Sequence, residues 1–290
     1  MQHRGREQGH GAPLRGQPRV IYEDGDIVVL DKPEGLPVIA PEGGRGKNLL
    51  DFVTQRLRRK NPKARAAVVH RLDRDTSGVM VVACNARAKK ILMDEWAERA
   101  RDRRYVALVE GDMGADSGRL DSWLVEAGAS RMRQAGPGER GALRALGSWT
   151  LIESSGHYSL VEVSLETGRK HQIRVQLAAL GHPVAGDERY GSRSDPGARL
   201  MLHASILELV HPTTGEPMRF ESPAPPAFVA ALRRRETARP QGEGPRRPQG
   251  EGPRRPQGEG PRRPQGEGPR RPQGEGPRRH KADRRPRSKA

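Results

Sequence analysis

The chain has 290 residues, 53 Lys plus Arg against 36 Asp plus Glu, and a formal net charge of +17. A single cysteine excludes an internal disulfide framework, and no apolar run is long enough to span a membrane. Residues 240–290 hold 15 Lys plus Arg against 6 Asp plus Glu, so +9 of the +17 lies there; the body is basic without it, a balance that suits a polyanionic partner, nucleic acid being the commonest, or plain solubility charge.

Residues 1–18 are polar and rich in Gly, Arg and His, with no apolar stretch of the kind that opens a secretory signal. They are expected to form a disordered arm, and the protein is expected to be cytoplasmic. Residues 20–30 predict a hairpin, with two apolar runs flanking Glu23-Asp24-Gly25-Asp26. Lys32-Pro33-Glu34-Gly35 then makes a fixed loop, in which Lys32 by itself reads as a surface lysine. A helix follows over 48–60, capped by Asn48, with Leu50, Val53 and Leu57 on one stripe. Its basic end fits either an RNA-facing patch or a solvated face that complements the helix dipole.

The chain is organised around residues 69–83. His70, Arg71, Asp73, Arg74 and Asp75 fall within six positions, followed by Thr76-Ser77-Gly78 and an apolar run the length of a buried strand. A carboxylate held at the mouth of a sheet by arginines can stay ionised and serve as nucleophile or base, which singles out Asp73. The plain alternative is a solvated loop with surface ion pairs of little energetic weight. Cys84 sits among apolar neighbours and reads as a core thiol. A second helix is expected over 85–100, with Trp96 in the core, and Tyr105 opens an alternating strand.

Residues 119–126 and 148–153 are weaker strand candidates. Between them, 127–147 shows no period and is expected to be a long loop, with Arg131, Arg133, Arg140 and Arg144 available to phosphates. Residues 158–165 alternate as a strand and lead through 166–174 into a helix closed by Gly181. Strands are expected at 200–210 and 218–220, and a short helix over 228–235. His171, His182 and His203 have no metal-ligand spacing, so no metal site is expected. From Pro240, P-Q-G-E-G-P-R-R repeats five times; a segment this rich in Pro and Gly, without apolar side chains, is expected to be disordered. Its paired arginines suit weak RNA contact, or they mark a neutral repeat expansion.

The string H-R-L-D-x-x-T-S-G at 70–78 resembles the signature of the RluA-type pseudouridine synthases. Four further stretches resemble that family in order: the Lys32-Pro33 loop, Thr167-Gly168-Arg169-Lys170-His171-Gln172-Ile173-Arg174 with Lys170 where Thr is usual, Gly186-Asp187-x-x-Tyr190-Gly191, and Leu200-Met201-Leu202-His203-Ala204. Arg103 keeps the charge of the Lys that often stands two places before the family tyrosine. The resemblance implies an α+β fold with a bent, mixed, largely antiparallel sheet flanked by helices. It also implies one catalytic domain at 19–237, followed by a basic tail at 238–290. Family members often carry an additional N-terminal RNA-binding domain, which eighteen residues cannot hold.

The implied reaction is cofactor-free isomerisation of uridine to pseudouridine in ribosomal or transfer RNA, the smaller members favouring transfer RNA. By resemblance Asp73 acts on the nucleoside, Tyr105 stacks on uracil and Arg174 pairs with Asp73. Arg71 fills the space the flipped base leaves, and His70, Lys32, Arg169 and His171 contact RNA. A monomer with no membrane partner is expected. The competing reading, a non-catalytic RNA-binding or ribosome-assembly protein on the same fold, has no need of Asp73, Tyr105 and Arg174 together.

Overall fold

The computed structural model describes residues 16–40, 46–128 and 131–234. The repeat tail and most of the N-terminal arm lie outside the described residues. β1 (Arg19–Glu23) and β2 (Ile27–Lys32) form the expected hairpin. Asp24 closes it by accepting from the Asp26 and Ile27 N–H groups, each at 2.8 Å. β2 pairs antiparallel with β4 (Ser77–Ala83), in which every residue is buried. That burial on both faces explains the nearly continuous apolar run in the sequence.

The remaining strands are β3 (Ala67–Val68), β5 (Ala100–Glu110), β6 (Ser117–Glu126), β7 (Met132–Ala135), β8 (Leu143–Ser154), β9 (Tyr158–Leu165), β10 (Leu202–Val210) and β11 (Pro217–Glu221). All eleven strands of the described residues belong to one sheet, ordered β1-β2-β4-β10-β5-β9-β8-β6-β7, with β3 on β4 and β11 on β10. The β4–β10 pairing is parallel and the others are antiparallel, which is the mixed, largely antiparallel sheet expected.

Alternation along β2 and β4 sorts their side chains onto two cores. Val28, Leu30, Met80 and Val82 pack with Leu49, Val53 and Leu57 of α1 (Leu49–Arg58), while Ile27, Val29, Val79 and Val81 pack with Leu92 of α2 (Ala86–Asp94). Asn48 and Asn85 cap these helices as their positions suggest, accepting from Asp51 N–H at 2.9 Å and Ala88 N–H at 2.8 Å. A third core lies where β5 and β9 meet α4 (Gln172–Ala179) and α5 (Ala227–Arg233).

Two expectations are corrected. The helix predicted over 85–100 breaks at Glu95; Trp96–Arg99 makes one further turn, α3, and Ala100 already pairs with Leu209 in the sheet. Sheet pairing there overrides the helical period. The stretch 127–147 is no structureless loop: β7 pairs with β6 from Trp123↔Ala135 to Glu126↔Met132, and β8 begins at Leu143. β6, β7 and the turn into β8 make an arm at the edge of the sheet. β7 is an edge strand with Arg133 and Gln134 exposed, so it carries no apolar alternation to find.

Gly78 is required where the signature loop enters the sheet. Its φ is 112°, and a Cβ there would collide with the Ala204 carbonyl across the parallel β4–β10 contact. The loop carrying Asp73 is therefore locked to β10 immediately after the aspartate.

Candidate active site

Asp73 lies in the loop between β3 and β4, where Thr76 N–H donates to its carbonyl at 3.2 Å. Its Oδ2 accepts from Arg174 Nη1 at 2.9 Å. Arg174 stands in the first turn of α4 and is only 8% exposed. Its other edge forks onto Asp187, Nε to Oδ2 at 2.7 Å and Nη2 to Oδ1 at 2.8 Å. Asp187 is 2% exposed. The guanidinium is thus clamped between a buried carboxylate and a partly open one. Burial disfavours its charge, but Asp187 and then Asp73 outweigh that and raise its pKa.

The second Asp73 oxygen, Oδ1, faces His171 Nε2 at 3.8 Å. His171 takes a left-handed backbone, φ 53°, as α4 begins, which turns its ring towards the aspartate. Its Nδ1 is 2.6 Å from the Tyr190 hydroxyl. Burial lowers the imidazole pKa, and the Asp73 charge opposes that shift. Gln172 fixes the preceding turn by accepting from Thr167 O–H at 2.8 Å and Arg169 N–H at 3.0 Å.

Tyr105 sits on β5 between Ala204 of β10 and Val163 of β9. Burial raises its phenol to about 12, with the Arg103 charge opposing, so it is a neutral phenol near pH 7. Asp73, Tyr105, Arg71, Arg169, His171 and Arg174 line one cleft of about 60 Å³. Arg174 and Asp187 also border a larger hollow of about 410 Å³ beside it. Six of the sequence-derived site residues therefore converge. Arg71 is exposed on this cleft and makes no ion pair among the described residues, while Arg169 is anchored through Nε to the Arg144 carbonyl at 3.1 Å.

Lys32 and His70 do not fit the RNA contacts expected of them. Lys32 is fully buried, and its Nζ donates to the carbonyls of Pro33 (2.8 Å), Leu36 (2.9 Å) and Arg74 (2.8 Å). All three ammonium donors are used, so none is left for a phosphate; the residue ties the Lys-Pro loop to the Asp73 loop. Burial lowers its pKa to about 8, against the charges of Asp75 and Asp73. The His70 ring stacks on Trp96 with centroids 4.5 Å apart, and Nε2 accepts from Val81 N–H at 3.1 Å. The residue keeps some accessible surface, yet its ring is densely enclosed, and burial lowers its pKa to about 3. It is a neutral packing group.

Arg103 braces the opposite wall, Nη2 donating to the carbonyls of Leu165 (3.1 Å) and Glu166 (2.7 Å). Lys170 pairs with Glu126 at 2.7 Å, which connects the start of α4 to the arm. Of the arm arginines, Arg133 pairs with Glu139 and Arg144 with Asp121, while Arg140 is exposed. Sequence reasoning gave no role to Asp187 and Tyr190. Their signal was the spacing Gly186-Asp187-x-x-Tyr190-Gly191, which closes on Arg174 only in three dimensions. Among the described residues no cluster of three or more His, Cys, Asp or Glu could hold a metal ion, and no helix is long and apolar enough to cross a membrane.

Comparison with known proteins agrees with this geometry. The family profile of RNA pseudouridylate synthases matches residues 26–179. The ribosomal large subunit pseudouridine synthase D of Nitrosomonas europaea is 37% identical over 238 residues, covering 78% of this chain and 66% of that protein. The ribosomal large subunit pseudouridine synthase C of Escherichia coli K12 is 37% identical over 235 residues, covering 76% and 70%. The chain spans about two thirds of the length of these relatives. The solved structure of human RNA pseudouridylate synthase domain containing 1 superposes with a TM-score of 0.59 at 26% identity, over 77% of this chain and 90% of that one. The chain belongs to the RNA pseudouridylate synthase family.

Proposed function

We propose that this synthase isomerises uridine at a defined position of ribosomal RNA, with Asp73 as the carboxylate that acts on the nucleoside. One observation carries the assignment. Arg174 occupies Asp73 Oδ2, whereas Oδ1 has no hydrogen bond among the described residues, and Asp73 lines the same cleft as Tyr105. The reactive oxygen is therefore Oδ1, while the aim of the carboxylate is set through Oδ2. The relatives named for the ribosomal large subunit favour ribosomal over transfer RNA.

In the reaction the N1–C1′ bond breaks and the uracil turns. The C5–C1′ bond then forms, C5 gives up its proton and N1 gains one. The formula is unchanged, so neither an oxidant nor water is consumed. Oδ1 serves either by attacking C1′ or by removing the 2′-proton, and both routes need the geometry above. The target base must leave its stack at a cost of a few kcal/mol. Arg71, exposed on the cleft and free of ion pairs among the described residues, fills the gap, and Tyr105 supplies the wall on which uracil stacks. Arg169 and His171 contact the RNA around it. Every named group comes from one chain, so the site needs no second subunit, and the enzyme is placed as a monomer in the cytoplasm, where ribosomal RNA is found.

The test is a carbodiimide-based map of pseudouridine over all RNA in cells with the wild-type protein, with Asp73→Ala and with none. Loss of the same ribosomal signal in mutant and null strains is expected. A map that Asp73→Ala leaves intact would refute the catalytic assignment and favour an RNA-binding role.

A further inference from the structure

The arm built from β6 and β7 packs on the catalytic helix through Leu124, Met132 and Val175, and Tyr190 joins the two at the aspartate. Tyr190 lies in a single 3₁₀ turn, Glu188–Tyr190, that follows directly on Asp187. The Arg174 guanidinium lies 5.0 Å from its ring centroid, within cation–π range. Its hydroxyl accepts from Met132 N–H, on β7, at 3.0 Å. That leaves the hydroxyl proton for His171 Nδ1, 2.6 Å away. With Nδ1 accepting, a neutral His171 carries its proton on Nε2, the nitrogen 3.8 Å from Asp73 Oδ1. Arg131, next to Met132, donates to the Arg189 carbonyl and stands 6.0 Å from the same ring. Tyr190 therefore touches the partner of each Asp73 oxygen and the arm as well.

We propose that Tyr190 is a positioning residue that couples the arm to Asp73: its ring steadies Arg174, and its hydroxyl, held by Met132, sets the His171 tautomer that faces the reactive oxygen. This rests on Asp73 being the reacting carboxylate. Arg140 is exposed beside β7 while Arg133 is held by Glu139, so RNA held at the arm through Arg140 is brought into register with the carboxylate through a hydrogen-bonded chain. The arm contributes to the rate as well as to affinity.

Tyr190→Phe keeps the ring on Arg174 and removes the hydroxyl, which makes it the informative variant. The assay is single-turnover pseudouridine formation in the ribosomal RNA segment that the cellular map identifies, with RNA affinity and melting temperature measured alongside. At saturating RNA the Phe variant is expected to lose about tenfold in rate, a barrier change of about 1.4 kcal/mol, with affinity within twofold of wild type. His171→Leu should cost a similar factor, and the double variant little more than either, because both break one chain. A wild-type rate in Tyr190→Phe overturns the coupling. So does a loss confined to affinity, or a fully additive double variant. Wild-type protein that forms no pseudouridine in that RNA overturns the isomerase reading, and the coupling falls with it.

Discussion

Asp187 offers the sharpest test of how the site is held, because it reaches Asp73 only through Arg174. Replacing it with Asn keeps the shape but sets an amide N–H₂ against an Arg174 N–H, so one of two charge-assisted bonds, at 2.7 and 2.8 Å, must be lost. The carboxylate is 2% exposed and the arginine 8%, so water cannot substitute for it. Removing one partner of a buried pair costs roughly 3–5 kcal/mol, because the other charge stays buried. For a domain of this size each kcal/mol lowers the melting temperature by about 2–4 °C, so a fall of roughly 6–20 °C is expected. Arg174 then orients Asp73 alone, and a misplacement on the order of 1 Å costs about a hundredfold in rate. Thermal unfolding and single-turnover pseudouridine formation at a temperature well below both transitions check the two effects separately. A destabilised variant with wild-type rate would show that the clamp supports the fold and does not aim Asp73. A variant normal in both would refute the clamp itself.

Two further outcomes follow from groups the structure removes from RNA contact. Lys32→Met leaves the carbonyls of Pro33, Leu36 and Arg74 without their donor. At about 1 kcal/mol each this predicts a melting temperature lower by roughly 6–12 °C, with the salt dependence of RNA binding unchanged; a flatter salt slope would show that Lys32 meets phosphate after all. For His70, burial lowers the pKa from 6.5 to about 3. Between those values the unfolded chain binds the extra proton, so stability rises with pH across this window and is lost as pH falls from about 6.5 towards 3. One proton corresponds to about 1.4 kcal/mol per pH unit. Urea unfolding at pH 5.5 and 4.5 should show a slope shallower by that amount in His70→Phe, which keeps the stack on Trp96. Equal slopes would refute a neutral, enclosed imidazole.

Much of this was legible from residues alone, and the exceptions share a cause. The hairpin at β1–β2, the two Asn caps, β9 and the Gly181 stop are set by local chemistry, and they appear where the sequence puts them. The arm was missed because an edge strand exposing Arg133 and Gln134 has no buried alternation to betray it. The helix over 85–100 was drawn too long because Ala100 belongs by spacing to the helix and by pairing to β10. Convergence of Asp73, Tyr105 and Arg174 was available only through resemblance, since 101 residues separate Asp73 from Arg174. Asp187 lies 13 residues from Arg174, yet nothing in its own neighbourhood says that it forks onto a guanidinium.

The polar residues of the motifs divide into two kinds, and the division is physical. Arg71 and Arg169 are exposed on the cleft with donors to spare. Lys32, His70 and Asp187 have their donors or acceptors consumed by backbone or by another buried charge. Burying an ammonium among carbonyls is unfavourable unless every donor is met, so such a residue persists at a fixed place only where geometry requires the tie. Lys32 fastens the loop at 33–36 to the carbonyl of Arg74, one residue after the reacting aspartate. His70 fixes the start of the same loop to Val81 on β4, and Gly78 locks its end to β10. Asp73 is thereby held from three directions while one oxygen stays open, so loosening any one tie should lower the rate before it lowers RNA affinity.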